Sequence, residues 1–247
     1  MFPTTSNRST IHGVVIATSV ASVRMTSKPQ LSDVRRASGK PWELHRIVRW
    51  MLEELGVPYK TTVLDFGTTM KEPEYLAINP MEKVPAIIHG KTVITESAAI
   101  CAYLADAFPE AELAPPPGSY LRGPYYRWLF FVAGPVDAAI TNQALGFVVS
   151  QEQTSKMGYG SYSLTLDVLE AAVSQGKYLL GHTFSAADVY VGAHIGLAMQ
   201  FGVMERRPAF ERYWSSVNSR PAALRAQAID DELHLNASQQ GPTNRSA

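Results

Sequence analysis

The amino-acid sequence predicts an α/β domain followed by an all-helical bundle domain. Three observations carry that prediction. Between residues 31 and 108, strand-like and helix-like apolar patterns alternate in the order strand, helix, strand, helical turn, hairpin, helix. A proline-rich stretch, Ala114 to Gly118, then stiffens the chain. Everything after it, from residue 120 to residue 235, reads as helix.

The first strand is assigned to Leu31 to Arg36, because loops between elements are short. Gly13 to Val23 is more apolar, yet leaves a long loop before the first helix. That helix is marked by the stripe Leu44, Ile47, Val48, Met51, Leu52 and Leu55, with Pro41 suited to its first turn and Gly56 to its end. Pro58 precedes a short strand, Tyr59 to Leu64, and a helical turn follows at Pro73 to Ala77. Val84 to Ile88 and Thr92 to Thr95 form a hairpin with His89-Gly90 as its turn, and a helix runs from Ala98 to Ala107. This β-α-β-α-β-β-α order is thioredoxin-like.

In the second half, Tyr120 to about Leu145 reads as one long helix kinked by Gly134-Pro135. Its aromatic residues, Tyr125, Tyr126, Trp128, Phe130 and Phe131, are too many for one buried stripe, so some can line an apolar pocket. A helix over Leu164 to Val173 follows. Ser185 and Asp188 have capping-box spacing, with Phe184 placed to staple onto Val189, and losing Asp188 is expected to cost about 1 kcal/mol. Helices over Pro208 to Val217 and Pro221 to Leu233 complete the bundle. The division that results is an extension at 1–30, an α/β domain at 31–108, a linker at 109–119, a helical domain at 120–235 and a polar, disordered tail at 236–247. Residues 1–30 hold Arg8, Arg24 and Lys28 without an acid, so they read as disordered or as a targeting-like peptide.

Composition excludes several function classes. The formal net charge is zero, which argues against nucleic acid or an anionic membrane as partner. No apolar run is long enough to span a bilayer. The single cysteine, Cys101, excludes an internal disulfide framework and fits a reducing compartment, hence a cytoplasmic location, with organelle targeting by residues 1–30 as the alternative. The histidines have no metal-ligand spacing, so no metal is expected.

The stretch from Asn79 to Ala107 carries the functional reading. Pro85 cannot donate to a sheet ladder, and a cis Val84–Pro85 bond would turn the N–H and C=O of Val84 outward as an open edge for a peptide-like ligand. At Glu96-Ser97 a β-branched run gives way to a helix. A helix N-terminus suits a carboxylate, Ser97 adds a hydroxyl, and Glu96 adds a charge for an ammonium. An amino-acid head group needs that combination. A plain hairpin and helix, with Ser97 merely capping, would give the same pattern without a ligand.

NPMEKVPAIIHG followed by TESAAICAYLADAFP resembles the glutathione-binding half of the soluble glutathione transferases, and the resemblance extends over roughly residues 31 to 233. It implies a thioredoxin-like fold with a cis-proline, glutathione as co-substrate held by Lys83, Val84, Pro85, Glu96 and Ser97, an apolar electrophilic small molecule as second substrate, and a homodimer. Glu82 departs from the pattern, which usually has Gly there, and places a side chain and a charge close to the ligand loop. The thiolate of glutathione needs a stabilising donor near the N-terminus of the first helix. No Cys precedes Cys101 and no Tyr precedes Tyr59, which leaves serine, with Ser38 as first candidate and Ser32 as second. A serine-type transferase is the leading reading. The alternatives are a non-catalytic transferase-like binding or scaffold module, and a specialised glutathione-dependent isomerase, ether-cleaving enzyme or dehalogenase.

Overall fold

The computed structural model describes residues 15–18, 45–64 and 68–239. In chain order, the first half holds β1 (Val15–Thr18), α1 (His45–Leu55), β2 (Lys60–Val63), a short helical turn at Thr69–Lys71, α2 (Pro73–Leu76), β3 (Ala86–His89), β4 (Thr92–Thr95) and α3 (Ser97–Ala107). β1 pairs with β2 in parallel, and β3 pairs with β4 antiparallel. The strands form two two-stranded sheets, β1-β2 and β3-β4, and β1 runs beside β3. This is a thioredoxin-like domain, with α1 and α3 packed on each other.

One expectation is corrected here. The parallel partner of β2 is Val15–Thr18, inside the stretch expected to be an extension, while 31–36 lies outside the described residues. The physical reason is composition: strands of parallel sheets read as apolar runs. Val15-Ile16-Ala17 meets that requirement and the polar 31–36 does not, so hydrophobicity outweighs the preference for a short loop. The hairpin turn also moves by one residue. His89 pairs with Thr92, so the turn is Gly90-Lys91, and Gly90 takes a φ of 64° that a residue with a Cβ rarely adopts.

The second half holds α4 (Arg122–Phe131), a π-helical turn at Val132–Val136, α5 (Asp137–Ala144), α6 (Tyr162–Ser174), α7 (Ala186–Gln200), α8 (Pro208–Asn218) and α9 (Pro221–Gln239). The kink expected at Gly134-Pro135 is the π turn, because Pro135 has no N–H for the α-helical ladder. Of the aromatics on α4, Tyr125 and Trp128 are buried and Phe130 is exposed. α9 extends to Gln239, so residues 236–239, expected in a disordered tail, continue the helix.

α7 is the central element. Its residues from Ala186 to Met199 are all buried, and α1, α3, α4 and α8 pack around it. Two glycines let α8 approach closely: a Cβ on Gly192 would sit 2.6 Å from Val217, and one on Gly196 would sit 2.5 Å from the Trp214 ring. At its start, the Ser185 N–H and hydroxyl both donate to Asp188 Oδ2 at 2.9 Å, the capping box that the sequence predicts. Asp188 does more than cap. Its Oδ1 accepts from the Leu179 N–H and the Tyr213 hydroxyl, each at 2.8 Å. Phe184 stacks with Trp50 and Tyr178 beneath the Arg220 guanidinium, which lies 3.6 Å from its centroid. The two halves are joined by charge as well as by apolar contact. Arg220 grips Glu54 of α1 through both carboxylate oxygens, at 2.7 and 2.8 Å.

Candidate functional site

The loop between α2 and β3 is shaped by two side chains beneath it. The Tyr75 hydroxyl and the Asn79 Nδ2 both donate to the C=O of Lys83, at 2.5 and 2.8 Å. Asn79 Oδ1 accepts from the Met81 N–H at 3.1 Å, and the Asn79 C=O accepts from the Glu82 N–H at 3.1 Å. Tyr75 and Asn79 are both buried, and burial pushes the Tyr75 phenol up to about 12, so it stays a neutral donor. Holding the Lys83 carbonyl inward sets the direction of the next residue. The Val84–Pro85 bond is cis, and the ladder begins only at Ala86. Among the described residues, neither the N–H nor the C=O of Val84 has a backbone partner. That half-buried edge is free for an extended ligand.

The hairpin register brings the second feature to the same end. Ala86 pairs with Thr95, so Val84-Pro85 and Glu96-Ser97 both lie at the end of the hairpin away from its turn. α3 starts there. The C=O of Glu96 accepts from the Ile100 N–H at 2.8 Å, so the N–H groups of Ser97, Ala98 and Ala99 precede the helical ladder. Ser97 is 8% exposed, and its hydroxyl has no hydrogen-bond partner among the described residues. Glu96 is exposed and carries a φ of 66° and a ψ of 118°, a backbone conformation that costs a non-glycine residue about 1–3 kcal/mol and tends to gather at functional sites. Glu82, at a φ of 54°, is strained in the same sense. Lys83 is exposed beside the loop and has no carboxylate within ion-pair distance among the described residues.

The helical half contributes a phenol and a carboxyl that the sequence did not single out. Tyr190, near the start of α7, has its phenol pushed well up by burial. Asp137 opens α5 directly after the π turn, and burial raises its carboxyl. The only signal for Asp137 in the sequence is its place just after Gly134-Pro135.

Ser38 and Ser32 lie outside the described residues. Cys101 is fully buried in α3, and burial pushes its thiol well up, so it sits as a protonated core residue rather than a nucleophile. Among the described residues, no group of three His, Cys, Asp or Glu side chains gathers as a metal site, and no helix is long and apolar enough to cross a membrane. Two open cavities of about 190 and 250 Å³ lie in the helical half and touch neither Val84 nor Ser97.

Residues 45–107, which include the loop, the hairpin and α3, match the family model for the glutathione S-transferase N-terminal domain. Glutathione S-transferase F9 of Arabidopsis thaliana is 30% identical over 188 residues, covering 69% of this chain and 86% of that relative. Glutathione S-transferase GST-4.5 of Xanthomonas campestris is 30% identical over 195 residues, covering 75% of this chain and 93% of that relative. Among solved structures, a glutathione transferase from Methylococcus capsulatus superposes with a TM-score of 0.64 at 27% identity, covering 78% of this chain and 97% of its own. The glutathione transferase URE2P6 of Phanerochaete chrysosporium, solved in complex with oxidised glutathione, superposes with a TM-score of 0.62 at 25% identity, covering 77% of this chain and 92% of its own. The match spans the open edge at Val84, the helix start at Ser97 and the bundle built on α7, and with that the chain belongs to the soluble glutathione S-transferase family.

Proposed function

We propose that the protein is a glutathione transferase that binds glutathione along the Val84 edge and joins its thiolate to an apolar electrophilic small molecule. The observation that carries this is the hairpin register, which sets the unpaired backbone of Val84 beside the helix start at Glu96-Ser97. In this reading the N–H and C=O of Val84 pair with the cysteinyl unit as an added strand. The α3 N-terminus and the Ser97 hydroxyl take the γ-glutamyl carboxylate, and Glu96 takes the ammonium. Lys83 lies where a second carboxylate can approach, and Pro85 sets the direction of the edge.

The finer parts of the proposal are a serine-type thiol donor at Ser38, a homodimer, an electrophile held by the helical half, and work in the cytoplasm. The absence of an earlier Cys or Tyr supports serine, and the lone buried cysteine fits a reducing compartment. A thiolate formed at the N-terminus of α1 gains from the partial positive charge there.

Calorimetry with glutathione tests the site. The wild type is expected to bind, and Ser97→Ala to weaken binding about tenfold, the value of a hydrogen bond to a charged group. A folded wild type that takes no glutathione would move the protein to a second reading, a binding or scaffold module without catalysis, which the strained and charged Glu82 favours. For the thiol donor, Ser38→Ala is expected to lower turnover at least about tenfold with glutathione affinity unchanged. Unchanged turnover removes Ser38.

A further inference from the structure

The C-terminal end of α6 and the first turns of α8 flank an open groove of about 190 Å³, lined by Val173, Ser174, Gly176, Lys177, Ala209, Arg212, Tyr213 and Ser216, with Lys177 and Arg212 exposed at its sides. No carboxylate lines it, while two cations, two serine hydroxyls and the phenol of Tyr213 do. Neither Lys177 nor Arg212 has a carboxylate within ion-pair distance among the described residues, although the nearby Arg206, Arg207 and Arg220 are all paired. Lys177 instead lies over the Tyr178 ring, at 5.0 Å. A cation just past the end of α6 gains from the helix dipole, but Arg212, in the N-terminal half of α8, does not. Arg212 and Ser216 are one turn apart on α8 and so present their side chains to the same side. The N–H groups of Gly176 and Lys177, at the rim, make no backbone hydrogen bond among the described residues.

The walls are held in place from below. Tyr213 is 3% exposed and donates to Asp188 Oδ1 at 2.8 Å, and the same oxygen accepts from the Leu179 N–H, two residues after Lys177. One buried carboxylate therefore fixes both the α8 wall and the loop that carries Lys177. The backbone on both sides of the groove is thus placed in advance, which leaves only the exposed Lys177 and Arg212 side chains to be ordered on binding.

We infer that this groove binds a phosphate group, in the form of a free phosphate monoester, between Lys177 and Arg212 with the Ser174 and Ser216 hydroxyls as further donors. Arg212 supplies a planar pair of donors and Lys177 a point charge, the combination suited to a tetrahedral dianion. The site is separate from the glutathione edge.

The test is calorimetry of the full chain with glycerol phosphate at constant ionic strength. The wild type is expected to bind in the millimolar range, and Lys177→Gln/Arg212→Gln to bind at least tenfold more weakly. Lys91→Gln/Arg127→Gln, which removes the same charge elsewhere, is expected to bind as the wild type does, as is Ser97→Ala. Glutathione binding by Lys177→Gln/Arg212→Gln is expected to be unchanged, which reports that the variant is folded and keeps the two sites apart. No binding by the wild type overturns the proposal, and so does equal weakening by the two double variants. Loss of phosphate binding in Ser97→Ala would assign the phosphate to the α3 N-terminus instead. Capture by vesicles containing phosphatidylinositol 4-phosphate, without any binding of glycerol phosphate, would overturn the free monoester in favour of a lipid headgroup.

Discussion

Arg49 of α1 and Asp230 of α9 meet through Nε and Oδ1 at 2.6 Å, with both side chains no more than 2% exposed. The pair fastens the last helix of the chain to the first helix of the α/β half, and Arg49 also donates to Thr61 Oγ1 of β2 at 3.3 Å. Removing one partner strands a buried charge, so Arg49→Met and Asp230→Leu are each expected to lose about 3–5 kcal/mol. The joint variant Arg49→Met/Asp230→Leu is expected to recover most of that, because no charge is left unpaired. Urea unfolding of the singles and the double closes the cycle. Additive losses would mean that the two groups do not interact in solution.

Asp188 is expected to matter more than a helix cap does. Replacing an exposed cap costs about 1 kcal/mol. Asp188 is completely buried and accepts from Leu179, from Tyr213 and twice from Ser185. Asp188→Ala leaves those donors without an acceptor in the core, so the expected loss is about 3 kcal/mol or more. Chemical denaturation measures it, and a loss near 1 kcal/mol would reduce Asp188 to its capping role.

Glu82 stands at a φ of 54°, where a Cβ is strained. Glu82→Gly is expected to raise stability by up to about 1 kcal/mol, while Glu82→Ala, which keeps the Cβ, is not. Thermal unfolding of both variants separates backbone strain from charge. Equal behaviour of the two variants would show that charge, not conformation, governs this position.

His194 lies inside α7 with its ring against Tyr190, and burial lowers its imidazole from 6.5 to about 4. It is neutral in the folded protein near neutral pH. As the pH falls from 6.5 to about 4, the unfolded chain takes up a proton that the folded chain refuses. Stability is therefore full above that window and lost across it, by about 3 kcal/mol in total. His194→Gln is expected to flatten this part of the profile of urea midpoint against pH. An unchanged slope in the variant would assign the acid sensitivity to other groups.

Local patterning was enough for much of the fold. Ile47, Val48, Met51 and Leu52 are all at 0% exposure, as their spacing predicts, because one stripe of a helix must face the core. The cis-proline edge, the start of α3 and the Ser185–Asp188 box were also legible, since each is a contact between residues near in sequence. Arg49 and Trp50 were not legible as buried, because α1 packs against α3, α7 and α9 together and has little polar face left. No local pattern encodes how many neighbours a helix will have.

The sequence by itself determined the element types, their order through the α/β half, the proline at the Val84 edge and the helix start at Glu96-Ser97. These rest on periodicity, on proline geometry and on short-range capping. Tertiary structure alone decided that Val15–Thr18 is the strand beside β2, that Glu82 and Glu96 take left-handed backbones, and that Asp188 binds Leu179 and Tyr213 as well as its own cap. Each of those depends on a partner distant in the chain or on a backbone shape imposed by packing. The energy that selects them appears only when the surfaces meet.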